Sequence, residues 1–92
     1  MATVDETLEE RGKRYGKFSD VAEATNDLQT AFWESTDYQK LMTIPAYQSV
    51  AVDMILHKLA RIAIGDADYI DNWLDIAGYA QLVVDKLNGI DR

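Results

Sequence analysis

The sequence predicts an all-α fold: a compact domain of four helices built on an antiparallel hairpin of the third and fourth. Three observations predict it. Apolar residues recur at three- and four-residue intervals in four stretches, the period of a helix face. The two-residue alternation of a half-buried strand is weak throughout. Pro45, the lone proline, and Gly16, Gly65 and Gly89 stand at the edges of those stretches, where helices start and stop.

The first helix is expected over Val4 to Tyr15. Thr3 and Glu6 form a Thr-x-x-Glu capping box, and Asp5, Glu6, Glu9 and Glu10 complement the positive end of the helix dipole. Val4, Leu8 and Tyr15 mark its apolar side, and Gly16 is its stop signal. The second is expected over Asp20 to Glu34, with Ser19 as N-cap and Val21, Ala24, Leu28, Ala31 and Phe32 as its apolar face. Residues Ser35 to Pro45 form a connector, in which Asp37 to Leu41 add a short helical turn with Tyr38 and Leu41 pointing inward. The third helix runs from Ala46 to Ile64 behind Pro45 and ends at Gly65. It is apolar around most of its circumference, which marks a central helix. The fourth runs from Tyr69 to Asn88, with a main face of Trp73, Ile76, Ala80, Val83 and Leu87. The short Gly65–Asp68 link makes the third and fourth helices antiparallel neighbours. Gly78 costs this helix about 1 kcal/mol relative to alanine, so the close approach of another helix or of a ligand is expected beside it.

The 92 residues make one domain, spanning 1–92. So small a core often gains stability by association, and a homodimer is expected. With 48% hydrophobic and 27% charged residues the composition is globular. No apolar run reaches the roughly 18 residues of a membrane span, and the acidic N-terminus lacks a signal-peptide core. The chain has no cysteine, which rules out thiolate metal sites and fits a cytoplasmic protein. A net charge of −7 argues against general nucleic-acid or anionic-membrane binding. Yet Arg11, Lys13, Arg14 and Lys17 gather four of the nine basic residues within seven positions. Such a patch on an acidic body suits a single phosphorylated ligand; a solvated helix end is the plainer reading.

The main candidate site lies in Val52–Ala80. Asp53, His57 and Arg61 recur four apart on the third helix, and Asp71 and Asp75 do so on the fourth, so each set shares a face. In an antiparallel hairpin the two sets sit at similar heights. Three carboxylates and an imidazole would then converge, a hard-oxygen set suited to Mg²⁺ or Mn²⁺ and, through the metal, to a phosphate. The competing reading is a structural network in which Arg61 pairs with Asp71 or Asp75 and His57 bonds Asp53. No nucleophilic triad and no phosphate loop can be assembled from these residues.

Several strings carry a resemblance. They are Glu10-Arg11-Gly12-Lys13-Arg14-Tyr15-Gly16, His57-Lys58-Leu59-Ala60-Arg61-Ile62, Gly65-Asp66 and Asp71-x-Trp73-x-Asp75-Ile76-Ala77-Gly78-Tyr79-Ala80. Together they resemble a group of small phage and prophage proteins similar to nucleotide-modification-associated domains, and more distantly the MazG-like all-α nucleotide pyrophosphohydrolases. MazG-like enzymes hold Mg²⁺ with Glu-x-x-Glu on one helix and Glu-x-x-Asp on the next. The resemblance sets Asp75 on that aspartate and Asn72 where a glutamate stands, with Asp53 and His57 near the first motif. It implies metal-assisted attack of water on a nucleotide's α–β phosphate linkage. Asp53, Asp71 and Asp75 would hold the metal, His57 and Asp75 would serve catalysis, and Arg11, Arg14, Lys17 and Arg61 would meet phosphate.

The leading expectation is therefore an accessory protein of nucleotide metabolism, of phage type, that binds a nucleotide with a divalent metal, with its hydrolysis left open. The alternative is a non-catalytic acidic protein that binds a host or phage protein, as inhibitor or nucleic-acid mimic, through surfaces such as Trp33, or a small virion component.

Overall fold

A computed structural model describes residues 3–92 of the chain. Five helices follow one another: α1 (Val4–Tyr15), α2 (Phe18–Ser35), α3 (Tyr38–Thr43), α4 (Ala46–Ile64) and α5 (Ile70–Leu87). There is no strand among the described residues. The four long helices match the four expected, and the connector's helical turn is a helix in its own right.

Local chemistry explains most boundaries. At the start of α1 the Thr3 hydroxyl accepts the Glu6 N–H at 3.1 Å, the capping half of the expected box. α1 stops at Gly16, whose φ of +91° suits glycine. α2 begins earlier than expected: the Val21 N–H already donates to the Lys17 carbonyl at 3.0 Å. Ser19 therefore lies inside the first turn and is not the cap. Asp37 caps α3 by accepting the Lys40 N–H at 3.2 Å, while Tyr38 and Leu41 are exposed rather than inward. α4 has the expected bounds. The Gly65–Tyr69 link closes as an Asx turn, in which the Asp66 carboxylate accepts the Asp68 N–H at 2.9 Å.

α4 is the central element. It packs against α2 and against α5, while α1 touches α2 and α4 more lightly. Val21 from α2 and Ala51, Leu56 and Ala60 from α4 form the buried apolar core. α1 buries none of its residues. It is held at its last turn instead, where the Arg14 carbonyl accepts the Asp66 N–H at 2.9 Å and Tyr15 meets Tyr69 edge to face at 5.7 Å. No helix is long and apolar enough to cross a membrane among the described residues.

Candidate functional site

A cavity of about 740 Å³ opens between α1, the Gly16–Lys17 turn, α2 and α4. Leu8, Arg11, Gly12 and Tyr15 line it from α1, and His57 and Arg61 from α4. α2 contributes Phe18, Val21, Thr25, Asn26 and Gln29, a succession of positions on one helix face. His57 and Arg61 are one helical turn apart and look the same way. The Arg61 guanidinium lies 4.0 Å over the Tyr15 ring, so the residue that anchors α1 also orients a cavity charge.

The lining charges are of one sign. Arg11, Lys17 and Arg61 are basic, and among the described residues no Asp or Glu lines the cavity. Among the described residues none of these three takes part in an ion pair. Burial lowers the His57 pKa below its ordinary 6.5, and Arg61 and Lys58 lower it further. His57 is thus a neutral imidazole at pH 7 beside three cations.

The remaining expected site residues lie elsewhere. Arg14 donates to Glu10 at 3.1 Å and sits 4.8 Å over the Tyr69 ring, outside the cavity lining. Asp53 faces α2, where its carboxylate accepts the Trp33 indole N–H at 2.8 Å. Trp33 is thereby half-buried and packed edge to face on Phe32 at 4.8 Å, so it is not a free partner surface. Asp75 pairs with Lys58 at 3.3 Å across α4 and α5. Asp71 is exposed, and its carboxylate beside Tyr69 pushes that phenol up to about 12. Asn72 is wholly buried and cannot reach a ligand at the surface.

The expected carboxylate set is therefore not brought together. Among the described residues no three His, Asp or Glu side chains form a group able to hold a metal ion. Asp53 is committed to an indole and Asp75 to an ammonium, so the donors as arranged do not fit a resident Mg²⁺ or Mn²⁺. Nor do His57 and Asp75 meet: His57 lines the α1–α2–α4 cavity, and Asp75 borders a separate groove with Leu74, Gly78 and Leu82. Of the four residues expected to meet phosphate, Arg11, Lys17 and Arg61 share one cavity and Arg14 lies outside it. The sequence reading missed the α2 wall. Thr25, Asn26 and Gln29 were visible there as polar residues on the helix face that carries Val21.

Neither the curated proteins nor the solved structures include a match to this chain. The Arg11–Lys17 segment, α4 and all but the last residue of α5 fall within residues 1–86, which match the family described as a domain of unknown function (DUF6378), and the chain belongs to that family.

Proposed function

We propose that this protein binds a small phosphate-bearing molecule, with a nucleotide as the first choice, in the cavity between α1, α2 and α4. One observation carries the reading. In a chain of net charge −7, three cations without acidic partners and one histidine line a single cavity with aromatic and amide walls. Its volume lies within the usual 300–1,000 Å³ of small-molecule sites. Arg11, Lys17 and Arg61 supply charge-assisted donors for phosphate oxygens. Phe18 and Tyr15 offer faces for a base, and Asn26 and Gln29 offer amides for its edge.

The likeness to nucleotide-modification-associated and MazG-like proteins supports the nucleotide as ligand and an accessory role in nucleotide metabolism. In this reading Mg²⁺ or Mn²⁺ arrives on the ligand's phosphates, and binding does not depend on hydrolysis. The expected helix hairpin also belongs to the reading, with the Lys58–Asp75 pair supporting it. The acidic-partner alternative becomes the reading of choice only if no small anion binds.

Calorimetric titration with nucleoside mono- and triphosphates and with pyrophosphate, each with and without Mg²⁺, tests the proposal. Wild type is expected to bind, and Lys17→Ala and Arg61→Ala each to weaken binding about tenfold, the worth of one charged hydrogen bond. A bound anion favours the imidazolium, so affinity should rise as pH falls from 7.5 towards 6, and His57→Asn should flatten that rise. A folded wild type that binds none of these anions at millimolar concentration would overturn the reading.

A further inference from the structure

The outer face of α5 carries an apolar series that the described residues leave largely uncovered. Ile70, Trp73, Ala77, Ala80, Val84 and Leu87 alternate spacings of three and four along the helix, the a/d repeat of helices that pair with other helices. All six are exposed. Ile70 is 63% exposed and Leu87 64%, although residues of this kind lead the buried classes. On the exposed flank Leu74 and Gln81 are also uncharged, so no like charges oppose a partner there. Inward, α5 instead presents Asn72, Ile76, Tyr79 and Val83, all buried or half-buried.

The size of the uncovered surface says what fits. The chain exposes 6698 Å², whereas a folded monomer of 10.4 kDa exposes about 5,400 Å². The excess, roughly 1,300 Å², belongs to the whole chain, and the α5 face is one part of it; a stable interface needs ~800 Å² per partner. The radius of gyration of 15.3 Å likewise exceeds the ~12 Å of a compact domain this long. An 18-residue helix runs about 27 Å, long enough to seat an identical helix. Trp73 is already fixed for the contact by its indole N–H, which donates to the Ala67 carbonyl at 2.8 Å, so binding loses little of its side-chain freedom.

We infer that a second copy of this chain docks here, α5 against α5, as an isologous dimer. An antiparallel pairing centred between Ala77 and Ala80 sets Trp73 opposite the partner's Val84 and Ile70 opposite the partner's Leu87. The small central pair lets the helices approach, and the large residues fill the ends. A parallel pairing would stack Trp73 on itself. The α1–α2–α4 cavity contains none of these residues, so dimerisation and ligand binding stand or fall separately.

Sedimentation of the full chain tests the inference. Wild type is expected to run as a dimer at tens of micromolar. Ala77→Glu and Val84→Glu should each run as monomers with undiminished helical circular dichroism, and Met42→Glu, on exposed α3, should stay dimeric. A monomeric wild type, or a dimer that survives both α5 variants, overturns the proposal. The absence of native cysteine permits a second measurement. Oxidising an equimolar mixture of Ile70→Cys and Leu87→Cys chains should give mainly the mixed disulfide. Chains linked mainly to their own kind would overturn the antiparallel register.

Discussion

At the scale of single residues the Lys58–Asp75 pair sets a largely buried charge of α4 against α5. The Lys58 side chain is only 10% exposed, and its ammonium has Asp75 as partner at 3.3 Å. Asp75→Asn would leave a largely buried charge with a weaker acceptor. It is expected to lower unfolding free energy in urea by about 1–3 kcal/mol. Adding Lys58→Met, which removes the charge and keeps much of the volume, should recover part of that loss. If Asp75 were instead a metal ligand with no structural part, Asp75→Asn would leave apo stability unchanged. The sequence showed Asp53, His57 and Arg61 at four-residue spacing, but each such step drifts about 40° around the helix. Over eight residues that drift turns Asp53 towards Trp33 on α2 and Arg61 towards Tyr15 on α1. The direction of α5 is taken by Lys58, about 100° round from His57. Spacing revealed one line of ionisable groups; which neighbour each would meet depended on helix placement, which spacing does not encode.

Among the elements, α1 depends most on a single joint. It has no buried residue and is held where Gly16 and Gly65 let two chain segments touch. A Cβ on Gly65 would come within 2.6 Å of the Arg14 carbonyl oxygen and 2.7 Å of the Gly16 nitrogen, and backbone cannot yield as a flexible side chain does. Gly65 ends α4 as the sequence predicted, yet its φ is −101°, so close approach rather than left-handed geometry demands glycine. Gly65→Ala is expected to release α1. Hydrogen exchange should then quicken across Val4–Tyr15 and stay slow in α4. Gly78 makes the contrast, since nothing lies within 4 Å of a Cβ built there. The close approach expected beside it is not found among the described residues. Gly78→Ala should therefore stabilise α5 by up to about 1 kcal/mol. Helix ends with strong local chemistry, at Thr3, Gly16 and Gly65, were legible in sequence. The start of α2 was not, because Lys17 makes no side-chain cap, and a boundary set by packing leaves no local mark.

For the whole molecule, the meagre core links stability to association. Val21, Ala51, Leu56 and Ala60 form the buried apolar core, and two of these four are alanines. Sequence periodicity showed apolar faces on three long helices and a nearly all-apolar third one, but could not say how much apolar surface one chain covers for itself. That depends on α4 taking α2 and α5 as its main neighbours, an arrangement that leaves the far side of α5 open. If a second copy closes that side, the native state is bound by its own kind, and mass action raises its apparent stability with protomer concentration. The midpoint of thermal unfolding should then climb by several degrees between 1 and 100 μM protein. Ala77→Glu should show a lower midpoint that no longer depends on concentration. Wild-type midpoints that coincide across that range, in a reversible transition, would mean that the open α5 face contributes nothing to folding and that the core of one chain suffices alone.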